Sequence, residues 1–356
     1  MSETNGADFV PKIKMLVLSL TGKCNFACRY CYAAEHDRSM MTENIALAAV
    51  DMAADSGEKF VIQFSGGEPL LNFATLQSVV EYVKERKLPA ILQLQTNASL
   101  LTDKIAQYLY KNKVAIGVSL DGRPCVNDKL RMKKNGYGAT GDILKGIEVL
   151  RRNNIACGVT CVVTSTNVGV LEGIVDFAYF LGNIRKIGFD ILRGQGRGRL
   201  LQPPTPVEMQ AAMRRVYARR DKLTQLTGLR IDIAQEERAR ILCDHADLTF
   251  GHCYAMNGEA AFVDAKGDIY ACSSLVGNND FYLGNVFTGI EETLLEKTKT
   301  FIKQSMLFCC DCDDFKRCGG GCFARWFGCE DKAVYGAECA MKRESIKQLE
   351  QKNLQK

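Results

Sequence analysis

Cys24-Asn25-Phe26-Ala27-Cys28-Arg29-Tyr30-Cys31 spaces three thiols as C-x3-C-x2-C. The stretch follows an apolar, β-branched run at roughly 14–20, so it reads as a loop at the C-terminal end of a first strand. Three thiolates can hold three irons of a [4Fe–4S] cube, whereas an electron-transfer cluster normally takes four. The fourth iron is then left for an external ligand, and an open coordination position marks catalytic rather than structural metal sites. On spacing alone a zinc knuckle remains the alternative.

Working outward, strand-like runs recur at roughly 60–64, 90–95, 114–119, 156–164 and 186–192. Amphipathic stretches lie between them, at roughly 42–55, 72–87, 102–112, 140–153 and 168–181. Six such βα units predict an α/β fold: parallel strands in a partial (β/α)6 barrel with helices outside. The site should sit at the C-terminal ends of the strands. The rhythm breaks at the Gly-rich loop Gly194-Gln195-Gly196-Arg197-Gly198, and Pro203-Pro204 then precedes a helical segment at roughly 206–226. The expected division is a core at 10–195, a helical linker at 196–242, a small cysteine-rich domain at 243–345 and a terminal helix and tail at 346–356. A charged helix is expected over roughly 341–354.

The composition is that of an ordinary globular chain, with 47% hydrophobic and 24% charged residues in 356. No run of about 18 apolar residues suggests a membrane span. The N-terminus lacks the ordered regions of a signal peptide, so a cytoplasmic setting is expected. A net charge of +5 without a dense basic run argues against nucleic acid. The local Arg excess between Arg185 and Arg220 reads as solvated helix faces, or as a surface for an acidic peptide. Sixteen cysteines without an export signal point to metal ligands rather than disulfides. Cys157 and Cys161 share a strand face and read as small buried residues.

Ten of the sixteen cysteines fall between 243 and 339. Cys253 is followed by Gly267 and Cys272, then by Cys309-x2-Cys312-x5-Cys318-x3-Cys322 and a later Cys339. Residues 261–272 read as a hairpin turning at Lys266-Gly267, which would carry Cys253 and Cys272 to one place. Gly319-Gly320-Gly321 lets backbone wrap closely between Cys318 and Cys322.

The first motif, with Tyr30 before its last cysteine, resembles the signature of the radical S-adenosylmethionine superfamily. The second resembles the SPASM extension of its peptide- and protein-modifying maturases. The resemblance implies that Cys24, Cys28 and Cys31 hold a cluster whose open iron is chelated by S-adenosylmethionine. Cleavage of that cofactor would yield a 5′-deoxyadenosyl radical that takes a hydrogen atom from the substrate. Gly66-Gly67-Glu68-Pro69 resembles the family's GGEP segment, which meets the ammonium of the methionine moiety. Thr96, Asn97, Ser119 and Asp121 match pocket segments, with Ser119 toward the ribose. Arg131 would meet the carboxylate, and Leu192 would pack on the adenine or serve in the core. Two auxiliary [4Fe–4S] clusters are implied, making three in all. Cys253, Cys272 and Cys322 would hold one, completed by Cys243, Cys310 or Cys329 or left open. Cys309, Cys312, Cys318 and Cys339 would hold the other.

The leading expectation is a maturase that crosslinks or oxidises a ribosomal peptide or protein, reduced by a flavodoxin or ferredoxin. Only 23 residues precede Cys24, too few for a leader-binding domain, so a separate leader-binding protein or another surface would serve. A sulfatase-maturing enzyme that makes formylglycine is the rival. Its usual Asp after the hairpin cysteine is replaced here by Ser273, and Asp264, Asp268 and Asp280 are the candidate substitutes as base. A small-molecule radical enzyme of cofactor biosynthesis and a non-catalytic iron–sulfur electron carrier are the other readings.

Overall fold

The computed structural model of the chain describes residues 9–244, 250–251, 253–327 and 333–353. Six strands run parallel in sequence order: β1 (Met15–Ser19), β2 (Phe60–Ser65), β3 (Ala90–Thr96), β4 (Ala115–Ser119), β5 (Cys157–Val163) and β6 (Ile184–Ile191). Helices Glu43–Ala54, Phe73–Glu85, Asp103–Lys111, Thr140–Arg152 and Gly173–Leu181 connect them. Each strand lies within two residues of its expected bounds. Strand alternation explains the packing: β5 buries Cys157, Val159, Cys161 and Val163 on one face. The opposite faces carry Gln63, Gln95, Ser119 and Thr160, which line a cavity. Closed barrels fill that volume with bulky branched side chains. Here short and amide side chains leave it open.

The barrel is not closed. β6 pairs on its far side with β7 (Asp232–Ile233). β1 pairs parallel with β8 (Ala260–Val263), Met15 opposite Ala260 and Leu18 opposite Val263. β9 (Asp268–Tyr270), β10 (Tyr282–Asn285) and β11 (Gly289–Ile290) continue antiparallel, giving one 11-stranded sheet. The cysteine-rich hairpin is thus hydrogen-bonded to the edge of the core sheet. Its turn is the expected one, with Gly267 at φ +91°.

The stretch expected as a linker is built into the core. Helix Pro206–Thr227 starts on a capping box between Thr205 and Glu208 and ends at Gly228, φ +70°. It packs along the C-terminal helix, which begins at Ala333, well before the expected 341, and ends at Asn353. The Tyr217 hydroxyl donates to Ser345 Oγ at 2.8 Å. Fully buried Arg220 pairs with Glu236 at 2.9 Å. Arg214, Arg215 and Arg219 pair with Glu344, Glu172 and Asp176. Much of the Arg excess is therefore spent on ion pairs within the fold. Among the described residues no helix is long and apolar enough to cross a membrane.

Removing one partner of a buried ion pair strands the other. Arg220→Ala should therefore lower the unfolding free energy by about 3–5 kcal/mol, read from anaerobic urea denaturation. Tyr217→Phe should cost only about 1 kcal/mol. Equal, negligible losses would mean that this helix pair does not hold the fold.

Candidate active site

The loops that follow the strands converge on one cavity of about 370 Å³. The thiols of Cys24, Cys28 and Cys31 line it together. Cys24 Sγ receives the Phe26 amide at 3.4 Å, and Asn97 Nδ2 stands 3.8 Å away. Arg131 Nη1 lies 3.9 Å from Cys28 Sγ. Burial pushes the Cys24 thiol up to about 12 and raises those of Cys28 and Cys31, with Arg131 and Arg197 acting the other way. Three buried sulfurs of this kind need a positive partner to be held as thiolates, and bound metal supplies one. Among the described residues no three His, Cys, Asp or Glu side chains close on a single ion. The thiolates of a cluster each take a different iron.

The glycines after β2 shape this loop. A Cβ on Gly67 would stand 2.2 Å from the Lys23 carbonyl oxygen and 2.7 Å from that of Gly22. Gly66, at φ +129°, presses on the Thr21 carbonyl in the same way. Hydrogen bonds from Gly67 N to Thr21 O (2.7 Å) and from Glu68 N to Lys23 O (2.9 Å) complete the clamp.

Of the ten residues expected to bind the cofactor, Gly66, Gly67, Thr96, Asn97, Ser119 and Arg131 line the cavity. The other four stand behind it. Glu68 is fully buried and accepts from Thr96 Oγ1 (2.6 Å), Asn97 N (2.8 Å) and Leu70 N (3.1 Å). Its carboxylate braces the end of β3, and burial pushes its pKa up. Pro69 opens the short turn Pro69–Asn72. Asp121 accepts from the Tyr30 hydroxyl at 2.6 Å and Val162 N at 2.9 Å, and lies 3.0 Å from Arg131 Nε. Leu192 packs with Tyr30 and Leu130, while its neighbour Ile191 lines the cavity.

The sequence reading missed the part played by the Gly-rich stretch. It folds back onto the thiol loop: Arg197 N donates to Cys31 O at 3.0 Å and Arg197 Nε to Cys28 O at 2.8 Å. A Cβ on Gly196, φ +52°, would lie 2.5 Å from the Cys31 carbonyl oxygen. The close glycine spacing was the available signal. Asp190, near the end of β6, also lines the cavity and was not singled out; Arg193, just past that strand and read only as part of the Arg excess, lines it too.

In the C-terminal part, Cys253, Cys272 and Cys322 pack on one apolar cluster with Met256 and Phe323, and burial, with the neighbouring thiols adding to it, raises the pKa of Cys253 and of Cys322. Burial raises the Cys318 and Cys339 thiols, with nearby Cys309 adding to the first and Cys318 to the second. Arg343 Nη2 is 3.5 Å from Cys312 Sγ. Cys309 Sγ is 2.7 Å from the Tyr335 hydroxyl. Cys243 is exposed beside Arg317, Asp244 and Glu350; Cys310 is exposed next to Cys309. Cys329 lies outside the described residues. Ser273, which follows Cys272, lines the cavity and so ties this part to the first three thiols.

The candidate bases are placed elsewhere. Asp264 Oδ1 accepts from Lys266 N at 2.8 Å and Asp268 N at 3.0 Å, a carboxylate closing the hairpin turn. Asp268 accepts from Asn285 at 3.0 Å. Asp280 sits in the turn Asn279–Phe281. None of the three lines the cavity.

The Gly196 contact is testable. Gly196→Ala should push the Cys31 loop aside, and the purified protein should lose the iron of the N-terminal site while keeping iron in the C-terminal part. Full iron content would show that this approach is not needed.

The radical SAM superfamily model matches residues 18–178. An uncharacterised protein of Methanocaldococcus jannaschii is 33% identical across 78% of this chain and 90% of its own length. The solved structure of an anaerobic sulfatase-maturating enzyme, anSMEcpe with bound AdoMet and the Cp18Cys peptide, superposes with a TM-score of 0.77 at 22% identity, covering 95% of this chain and 96% of that one. SuiB of Streptococcus suis, bound to its precursor peptide SuiA, gives 0.65 at 16% identity, over 90% of this chain and 74% of that one. The chain belongs to the radical SAM superfamily, has the fold of its SPASM-type members, and is an enzyme of a family that works with a [4Fe–4S] cluster and S-adenosylmethionine.

Proposed function

We propose that the protein modifies a side chain of a ribosomal peptide or of a protein, by crosslinking or oxidation. Cys24, Cys28 and Cys31 hold its first cluster. Cys253, Cys272 and Cys322 hold a second, and Cys309, Cys312, Cys318 and Cys339 a third. With cofactor bound, the first site supplies a 5′-deoxyadenosyl radical that removes a hydrogen atom from a substrate carbon. The backbone of Gly66 and Gly67, with Thr96 and Asn97, receives the methionine end; Ser119 receives the ribose and Arg131 the carboxylate. Glu68 and Asp121 act at one remove, fixing Asn97 and Arg131. Tyr32, Val162 and Ile191 supply the apolar wall that keeps water from the reacting carbon.

The observation that carries this reading is the shared cavity: the first three thiols and Ser273, next to Cys272, face one space. A substrate between them reaches both the radical source and the neighbourhood of a second thiolate group. Peptide is favoured as substrate because both similar structures described above hold one. A flavodoxin or ferredoxin would supply electrons, and a separate protein would present any leader. Oxidation of a Cys or Ser to formylglycine is the second reading, supported by the nearly full-length likeness to the sulfatase-maturating fold.

Reduced, reconstituted protein should convert S-adenosylmethionine to 5′-deoxyadenosine. Replacing Cys24, Cys28 and Cys31 by Ala should abolish this while removing only about one third of the iron. Turnover by the triple variant would overturn the assignment.

A further inference from the structure

Asp190 is the single carboxylate among the described residues that line the cavity; Arg131, Arg193 and Arg197 line it too. It stands one residue before the end of β6 and keeps 28% of its side chain exposed. Arg193 Nη2 lies 3.2 Å from Oδ2, and the Arg325 guanidinium contacts Oδ1. Both arginines have other partners. Arg325 pairs with Glu338 at 2.9 Å and donates to the Ile191 carbonyl at 3.1 Å. Arg193 stacks on Tyr32, 5.0 Å from the ring centroid, and donates to Ser274. Asp190 is therefore fixed in place and still open to the cavity.

We propose that Asp190 anchors the substrate by accepting a hydrogen bond from a backbone amide next to the carbon that is attacked. The proposal rests on the peptide reading above. Three considerations lead to it. A buried peptide N–H must be paired, and a fixed carboxylate is a strong acceptor for one. Against burial, which raises it, the charges of Arg193 and Arg325 hold the carboxyl below the usual range, so Asp190 stays ionised and suits an acceptor better than a proton-taking base. Arg193 and Arg325 already neutralise this carboxylate, which favours a neutral donor over an ammonium.

The test uses anaerobic holoenzyme with S-adenosylmethionine and two probes, Ac-Ala-Cys-Ala-NH2 and the analogue whose Cys amide is replaced by an ester. Binding is followed by saturation-transfer NMR. Wild type should bind the ester about tenfold more weakly than the amide. Asp190→Asn should weaken the amide by a similar factor and narrow the gap between the probes. Iron content and S-adenosylmethionine binding of the variant report its folding. The probe comparison on wild type stands even if the variant fails to fold. Equal binding of both probes to wild type would overturn the anchor alone. Binding of neither would overturn the peptide reading with it.

Discussion

The close approach of Gly67 to the carbonyls of Gly22 and Lys23 fixes where Cys24 stands. No side chain fits in that gap, so the loop after β2 lies directly on the loop after β1. The sulfurs at 24, 28 and 31 are brought to one cavity because backbone from three places meets there. The Gly66–Glu68 turn holds one end of the thiol loop. Arg197 and Gly196 hold the other. Strand ends β3 and β4 form the wall between them, with Gln95 Nε2 donating to Ser119 Oγ at 2.8 Å.

Buried charge organises what surrounds the thiols. Glu68 and Asp121 are removed from water and repaid by several donors each, the condition under which a buried carboxylate is tolerated. Asp121 collects Tyr30, Arg131 and the amide of Val162, joining the thiol loop to β4 and β5. A second network crosses to the cysteine-rich part: Asp190 meets Arg325, Arg325 meets Glu338, and Glu338 lies 3.2 Å from Lys342 on the C-terminal helix. Together with the pairing of β8 to β1, these contacts pack the C-terminal part against the core that carries the first site.

Much of this was legible in the sequence because short-range signals carried it. The period-2 strands, the intervening amphipathic helices and the glycine and cysteine spacing are local, and the six parallel strands came out nearly residue for residue. Tertiary partners were not legible. Nothing near Glu68 says that its carboxylate turns to Thr96 and Asn97 rather than to a ligand. The two residues of β7 carry no periodicity. The early start of the C-terminal helix at Ala333 depends on packing against Pro206–Thr227. Asp264 and Asp268 were singled out as carboxylates near a cysteine, yet hairpin geometry uses them as turn and strand acceptors. Asp190 drew no notice because a single acidic residue near a strand end has no pattern.

In the proposed function, one iron of the cluster that Cys24, Cys28 and Cys31 would hold is open to S-adenosylmethionine. Electron–nuclear double resonance on the reduced protein, with S-adenosylmethionine carrying ¹⁷O in its carboxylate and ¹⁵N in its amino group, tests it directly. Hyperfine couplings from both labels, absent when Cys24, Cys28 and Cys31 are replaced, are the expected result. Bound cofactor with no coupling from either label would contradict the account.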